Sequence, residues 1–314
     1  MKRLTPLLVL IFAACTPAES VSLISYPTGT PPQLPTSTAT PTLPAVTPPT
    51  PTQTPFPTIA IPTLTPYPDD DVFAIGESVE GRSIAVWQFG SGSRPIVLVG
   101  GIHGGYEANT IVLADQFIEY FRANPDDILP GLRIDIVPSA NPDGIERGSG
   151  LQGRFNANGV DLNRNWGCEW SDTAFLRDIE VDPGPRPFSE PESFALREYF
   201  MTADPLAVIF YHSALGAIFM GECNDAGLAD WMGTLLAEST GYPYQDEFTY
   251  YEVTGDATNW LAERGIPAAV IELTTRTDSE FEQNLAGVLA LQCYLVQRTP
   301  GVNLTDPHII RLCA

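Results

Sequence analysis

The sequence predicts an α/β domain in which a mostly parallel mixed sheet is covered by helices on both faces. Short apolar runs alternate with segments of helical periodicity from residue 82 to residue 297, which is typical of βαβ units. The run at residues 95–99 is apolar throughout, as in strands that are buried on both faces. Residues 69–314 comprise 246 residues, enough for one large domain of this class.

Five segments predict strands. Residues 82–89 alternate between apolar and polar side chains, and the other four segments are short apolar runs. These four are residues 95–99, 132–137, 206–211 and 268–271. Because the carboxyl ends of parallel strands meet at one edge of a sheet, we expect functional side chains at that edge.

Five segments predict helices. Apolar residues recur at helical spacing in residues 106–124, at Ile111, Ala114, Phe117, Ile118 and Phe121. Ser189, followed three residues later by Glu192, predicts a capping box that opens a helix through about residue 201. The remaining helices are expected at residues 226–240, 256–264 and 279–297.

The first 15 residues have the pattern of an export signal. Lys2 and Arg3 precede an apolar run at residues 7–14, which is shorter than the roughly 20 residues of a membrane-spanning helix. Ala13-Ala14-Cys15 resembles the bacterial lipobox, in which the cysteine is lipidated and becomes the new N-terminus. We therefore expect a lipoprotein-type signal peptide, a lipid on Cys15 and an extracytoplasmic protein anchored to the cell membrane. The alternative is an ordinary cleaved signal in which Cys15 is incidental.

Residues 16–68 predict a disordered linker. The 42 residues from Pro27 to Pro68 include 14 prolines and 13 threonines and no charged side chain. Such a segment buries too little apolar surface to offset its ordering entropy. As polyproline II it would reach at most about 130 Å, so it predicts a tether between a membrane and a domain at residues 69–314.

The composition argues against one class of partner and indicates whether the cysteines are oxidised. With 38 acidic and 16 basic residues the net charge is −22, so nucleic acid is not an expected partner. Four cysteines remain beyond Cys15, and an even count in an exported chain predicts disulfides. Of three possible pairings we favour Cys168 with Cys223 and Cys293 with Cys313. Four unpaired buried thiols are the alternative.

The ends of the predicted strands bring together the side chains of a metal site. His103 and His212 are two of only three histidines, and each follows or ends a strand, as does Glu272. Glu107 comes from the turn after the strand that His103 follows. Two imidazoles and one carboxylate around an open position make a catalytic zinc site, and zinc lowers the pKa of its bound water to about 7.

Several motifs resemble one family in order and spacing. They are residues 100–107 (Gly-Gly-Ile-His-Gly-Gly-Tyr-Glu), 141–144 (Asn-Pro-Asp-Gly), Arg154, 159–166 (Gly-Val-Asp-Leu-Asn-Arg-Asn-Trp), 187–192, His212-Ser213, Tyr251 and 271–273. Residues 72–297 thereby resemble the zinc metallocarboxypeptidases of the carboxypeptidase A type. One feature departs from the family, because three residues separate His103 from Glu107 where the family usually has two.

The resemblance implies a role for each residue of the centre. His103, Glu107 and His212 would bind one zinc ion. Glu272 would take a proton from the zinc-bound water and pass it to the leaving amine.

The resemblance also implies the groups that bind the substrate. Arg154 would stabilise the developing oxyanion, with Arg147 as the rival. Asn163 and Arg164 would hold the terminal carboxylate of the substrate, because a guanidinium matches the geometry of a carboxylate. Tyr251 would cover the bound substrate.

Acidic residues predict the preference of the specificity pocket. Thr258 falls where the family has the base of this pocket, and Glu222, Asp225 and Asp256 lie in stretches that could line it. An acid there would favour a basic C-terminal residue or the amino group of a diamino acid in a wall peptide. In so acidic a domain, however, some carboxylates lie near any pocket.

We therefore expect a monomeric zinc metallocarboxypeptidase that hydrolyses the C-terminal bond of peptides. A peptidase or amidase acting on peptidoglycan stem peptides through the same site is the nearest alternative. A surface binding protein on an inactive peptidase fold is the alternative from another class, and it would be favoured if a ligand or Glu272 were missing.

Overall fold

An eight-stranded mixed sheet is the centre of the computed structural model, which describes residues 72–224 and 229–314. Two further short strands pair as a separate hairpin. In chain order the strands are β1 (Val72–Glu77), β2 (Ser83–Gly90), β3 (Pro95–Val99), β4 (Arg133–Val137), β5 (Ala174–Leu176), β6 (Ile179–Val181), β7 (Ala207–Ser213), β8 (Ala217–Met220), β9 (Tyr244–Gln245) and β10 (Ala268–Leu273).

The order of strands in the sheet is β1-β2-β4-β3-β7-β10-β8-β9. The four central strands β4, β3, β7 and β10 run parallel, and antiparallel pairs join β1 to β2, β2 to β4 and β8 to β10. Strand β3 is apolar and buried throughout, because helices cover both faces of the sheet. All five predicted strands are present, so the predicted α/β class with a mostly parallel mixed sheet is confirmed.

Helices cover the two faces of the sheet. They are α1 (Ala108–Ala123), α2 (Pro142–Glu146), α3 (Pro191–Ala203), α4 (Asp230–Thr240), α5 (Ala257–Glu263), α6 (Phe281–Val296) and α7 (Pro307–Leu312). One core contains apolar residues of α1, α4, α6 and α7, and a second core contains those of α3 and α5. Successive strand residues point to opposite cores: Leu98 lies in the first, and Val97 and Val99 lie in the second.

The capping box predicted at Ser189 and Glu192 is wrong. The Ser189 hydroxyl donates to the Glu190 carboxylate at 2.8 Å, and the helix begins at Pro191 without a side-chain cap. Glu192 accepts hydrogen bonds from the Val79 amide at 3.1 Å and from Asn156 at 3.1 Å. Glu192 is fully buried, so these distant partners compete successfully with the local cap.

Both favoured disulfides are present, Cys168–Cys223 and Cys293–Cys313. The second joins α6 to the residue after α7 and so closes a loop of 20 residues at the end of the chain. None of the helices in the described part of the chain is long and apolar enough to cross a membrane. The predicted signal peptide, the lipidation site Cys15 and the linker at residues 16–68 lie outside the described residues.

The acidic side chain of Asp115 in α1 is buried and predicts a pH dependence of stability. Burial raises its pKa to about 7, and the charge of Glu119 adds to the shift. An unfolded Asp has a pKa of about 3.9, so the folded state binds the proton more tightly. The free energy of unfolding therefore falls as the pH rises from about 4 through 7.

We expect Asp115→Asn to stabilise the protein more at pH 8 than at pH 5, by roughly 2 kcal/mol or about 4–8 °C in Tm. Thermal unfolding at the two pH values measures the difference. Asp126→Asn, at an exposed position, is the control and should show no such difference. An effect of Asp115→Asn that is equal at both pH values would contradict the prediction.

Candidate metal centre and substrate pocket

Three neighbouring parallel strands deliver the candidate site residues to one edge of the sheet. His212 lies in β7 directly beside Glu272 in β10. His103 follows β3, which pairs with β7 on its other side. Because all three strands run the same way, their carboxyl ends place these side chains together.

His103, Glu107 and His212 form the candidate metal centre. One possible ligand atom from each residue lies within 4.8 Å of the other two. The two imidazole rings have centroids 4.9 Å apart, and Nδ1 of His212 lies 3.2 Å from Oε2 of Glu107. All three side chains are buried.

Two glycines let Glu107 reach the histidines across the extra residue. Residues Gly104–Glu107 form a 3-10 helix, and Gly104 has φ +44°, a conformation that other residues rarely adopt. A Cβ on Gly104 would lie 2.6 Å from the Gly153 carbonyl oxygen, and one on Gly105 would lie 2.6 Å from that of Gly148. The turn therefore packs tightly against a neighbouring backbone segment, and this packing places the Glu107 carboxylate beside the histidines.

The electrostatics of the centre suit a cation. Burial and the Arg154 charge hold the pKa of His103 well below its usual value, so this imidazole is neutral. Burial acts to raise the pKa of Glu107, but the two neighbouring imidazoles, one of which is hydrogen-bonded to it, and the charge of Arg276 outweigh burial and lower the pKa to about 2. Neutral imidazole and ionised carboxylate are the forms that bind metal, and His103 and Glu107 are in these forms. Burial acts to lower the pKa of His212, but its hydrogen bond to Glu107 raises it, so metal binding at His212 competes with a proton.

Unpartnered nitrogens also fit a metal ion. Nδ1 of His103 and Nε2 of His212 are buried and have no hydrogen-bond partner among the described residues. Buried polar atoms without partners cost free energy, which coordination would recover. Two imidazoles and a carboxylate are a zinc-binding donor set.

Glu272 lies beside this centre. Burial raises the pKa of Glu272 to about 7, and the charge of Glu107 adds to the shift. Its Oε2 is buried and has no hydrogen-bond partner in the described part of the chain. A carboxyl group with a pKa near neutrality and an uncommitted oxygen suits proton transfer.

Of the two arginines considered for the oxyanion, Arg154 lines the pocket. Its Nε donates to Asp161 at 2.7 Å, and its NH1 lies 3.8 Å from Oε1 of Glu107. Arg147 does not line the pocket, since its guanidinium donates to backbone carbonyls, including those of Asn156 and Ala157.

Asn163 and Arg164 both line the pocket, but they are held differently. The Asn163 amide donates to Asp256 at 2.8 Å and accepts from the Ala257 N–H at 3.1 Å, so its orientation is fixed and one N–H remains without a partner among the described residues. The Arg164 guanidinium donates to the carbonyls of Asn163 and Phe175, at 2.7 Å and 3.1 Å. A substrate carboxylate would therefore meet a rigidly oriented Arg164.

Tyr251 stands on the same side of the pocket. The guanidinium carbon of Arg164 lies 5.9 Å from the centroid of the Tyr251 ring. The ring of Phe248 packs edge-on against Tyr251, with centroids 4.9 Å apart.

The cavity that contains these groups has a volume of about 860 Å³. Glu222 and Thr258 line it, and Asp225 lies outside the described residues. Asp256 also lines the cavity, but its carboxylate caps α5 by accepting from the amides of Thr258 and Asn259. The Asp256 carboxylate is therefore occupied within the protein, whereas Glu222 is exposed.

Four further residues support the site, and the sequence patterns predicted a role for none of them. They are Asn109, Asp161, Ser213 and Arg276. Asp161 lies 3.6 Å from Nδ1 of His103 as well as binding Arg154, and the Ser213 amide donates to Glu107 at 3.2 Å. Their position next to a candidate ligand or a strand end was the available signal, but only the fold shows which atoms they contact.

Glu107→Gln should weaken zinc binding far more than it disturbs folding. The substitution keeps the size of the side chain but removes the anionic ligand. The loss should exceed the roughly 10- to 100-fold that is typical of removing an outer contact to a metal ligand. Competition with a chelator measures the affinity, and thermal unfolding of the metal-free protein measures the fold. Glu169→Gln, at an exposed carboxylate of the same cavity, is the control and should retain the affinity of the wild type. Equal zinc affinity in wild type and Glu107→Gln would remove Glu107 from the centre.

Solved structures resemble this fold, among them those of an amidase and of a fibrinolysis inhibitor. That of murein-tripeptide amidase from Escherichia coli O157 is 25% identical, covers 70% of this chain and 91% of that chain, and gives a TM-score of 0.56. That of bovine thrombin-activatable fibrinolysis inhibitor in complex with tick carboxypeptidase inhibitor gives a TM-score of 0.63. It is 19% identical and covers 74% of this chain and 92% of that chain, so it supports the fold alone.

Sequence comparison identifies the family. Murein peptide amidase A of Escherichia coli strain K12 is 26% identical over 227 residues, which cover 68% of this chain and 86% of that enzyme. The sequence pattern of the zinc carboxypeptidases, peptidase family M14, matches residues 63–283, more than half of the chain. The protein therefore belongs to the zinc carboxypeptidase family, whose members are metallopeptidases that use a zinc ion.

Proposed function

We propose that this metallopeptidase hydrolyses the amide bond that precedes a residue with a free carboxylate. The proposal depends chiefly on one observation: the buried Glu272, with an uncommitted oxygen, lies beside the candidate metal centre in a cavity that Arg164 also lines. His103, Glu107 and His212 would hold the zinc ion. When bound, zinc acts as a Lewis acid that polarises the scissile carbonyl and acidifies water.

Glu272 moves the proton in this scheme. It accepts a proton from the attacking water as the water oxygen bonds to the carbonyl carbon. It then gives the proton to the amide nitrogen as the carbon–nitrogen bond breaks, which releases an amine and a carboxylate. A pKa of about 7 suits both halves of this transfer, because the group accepts and donates with similar ease near neutral pH.

Arg154 and Arg164 act on different parts of the substrate. Arg154, fixed by Asp161, stabilises the negative charge that develops on the carbonyl oxygen. Arg164 binds the terminal carboxylate, and the ring of Tyr251 beside it covers the bound residue. Asn163 is fixed by its bonds to Asp256 and Ala257, and its second amide N–H would donate to the same terminal carboxylate of the substrate.

A second candidate substrate is a peptidoglycan stem peptide. The similarity to murein peptide amidase A spans 86% of that enzyme, which favours this candidate. The exposed Glu222 in the cavity would suit the amino group of a diamino acid. A lipid on Cys15 and the Pro/Thr-rich linker would hold the domain near the wall. Mass analysis of products from linear peptides and from muropeptides would separate the two candidates, and cell fractionation of Cys15→Ser would test the anchor.

Glu272→Gln should keep the fold and the zinc but lose nearly all turnover. General acid–base catalysis contributes about 10²- to 10⁴-fold, and the amide of Gln cannot accept the proton. The test measures turnover of the purified variant at matched zinc content. Turnover near that of the wild type would exclude this mechanism.

Removing the substrate carboxylate should reduce turnover strongly in the wild type but little in Arg164→Ala. The loss of a charge-assisted hydrogen bond costs about 10- to 100-fold in kcat/KM. The experiment compares one peptide with its C-terminally amidated twin on both proteins. The thermal stability of Arg164→Ala must be measured too, since Arg164 also holds the Phe175 carbonyl. Equal cleavage of both peptides by the wild type would show that the carboxylate is not recognised.

A further inference from the structure

A further guanidinium, that of Arg276, faces the candidate metal centre from the loop after β10. Its NH1 donates to the Tyr106 carbonyl at 2.8 Å and lies 3.9 Å from Oε1 of Glu107. Its guanidinium carbon lies 3.9 Å from the centroid of the Tyr106 ring. The side chain lines the cavity and is 21% exposed, so it is accessible to a bound molecule.

The loop that carries Arg276 is braced by hydrogen bonds. The Asn109 amide donates to the carbonyls of Thr275 at 2.7 Å and Asp278 at 3.0 Å. The Glu280 carboxylate accepts from the Thr274 amide at 3.0 Å. The guanidinium is therefore presented from a fixed backbone, which reduces the entropy lost when it binds a ligand.

Glu107 has other partners and does not by itself account for Arg276. The Ser213 amide donates to Oε2, His212 lies 3.2 Å from the same oxygen, and Arg154 lies 3.8 Å from Oε1. Among the described residues only NH1 of Arg276 has a hydrogen bond, so its remaining N–H groups are available. A guanidinium with available N–H groups in a cavity suits an anionic ligand.

Three arginines mark positions along the cavity. Arg164 lies by Tyr251, whereas Arg154 and Arg276 both lie near Tyr106, at 5.8 Å and 3.9 Å from its ring centroid. Arg154 is joined to the segment of Arg164 through Asp161, which accepts from the Asn163 backbone amide at 3.1 Å, and it approaches the same Oε1 of Glu107 as Arg276. Arg154 therefore stands between the other two. A peptide with its terminal carboxylate at Arg164 and its scissile carbonyl at Arg154 extends its acyl portion towards Arg276.

We propose that Arg276 binds a carboxylate on the acyl side of the scissile amide, so that the enzyme prefers an acidic residue there. The inference rests on the proposed function for the direction of the substrate. A chain with a net charge of −22 repels anionic peptides in general, and a local cation is what allows one to bind. Arg276 is thus a specificity-determining residue for a substrate with two carboxylates, one at each end of the cavity.

Two peptides that differ only in the residue before the scissile amide, Glu or Gln, test this assignment. With the zinc-loaded full chain, kcat/KM should favour the Glu peptide by about 10- to 100-fold, the range of a charge-assisted hydrogen bond. Arg276→Gln should bring this ratio close to one, and Arg276→Lys should retain part of it. Arg177→Gln is the matched control, because it removes the same charge from the hairpin on the Arg164 side and should keep the ratio.

A binding measurement separates this inference from the proposed function. Calorimetry with the Glu272→Gln variant, alone and combined with Arg276→Gln, gives dissociation constants for both peptides without turnover. If the preference for the Glu peptide disappears with Arg276→Gln, the assignment of Arg276 is supported, whether or not the peptides are cleaved. Absence of cleavage by the wild type would refute only the proposed function. The assignment would be overturned if the wild type did not prefer the Glu peptide. It would also be overturned if Arg276→Gln, at unchanged zinc content, weakened binding of both peptides equally.

Discussion

The buried carboxylate of Glu107 is the charge on which the site depends. A carboxylate removed from water is costly unless it is paired, and groups from several elements meet this need. His212 and the Ser213 amide come from β7, Arg154 from the 3-10 helix at Leu151–Arg154, and Arg276 from the loop after β10. Their convergence on one anion fixes the relative positions of elements that are distant in sequence.

The parallel centre of the sheet makes this convergence possible. Because β3, β7 and β10 are adjacent and parallel, their carboxyl ends lie at the same edge of the sheet. The backbone between residues 144 and 153 supplies the other wall, and Gly104 and Gly105 allow it to approach. Larger side chains at these glycines would displace Glu107. The position of the Glu107 carboxylate therefore depends on this close backbone packing.

Much of the fold and part of the site could be predicted from the sequence. Hydrophobic periodicity located the central strands, and His212 and Glu272 followed from their place at strand ends. The contacts of Asp161 and Arg276 could not be predicted, since they depend on how loops from different strands approach one another. The capping box at Ser189 was predicted from local pattern, but the buried Glu192 is held instead by Val79 and Asn156, far away in sequence.

Two aspartates connect the candidate metal centre to the substrate pocket. Asp161 contacts His103 and Arg154 and accepts from the Asn163 backbone amide at 3.1 Å. The side chain of Asn163 in turn donates to Asp256, which caps α5. Arg154 and the segment that carries Arg164 are thus held by one chain of hydrogen bonds, and His103 lies beside this chain. Residues coupled in this way have non-additive effects. In the proposed mechanism, the presentation of Arg164 to the substrate carboxylate therefore depends on the same Asp161 that holds Arg154, so binding of the substrate terminus and stabilisation of the oxyanion would share one structural support.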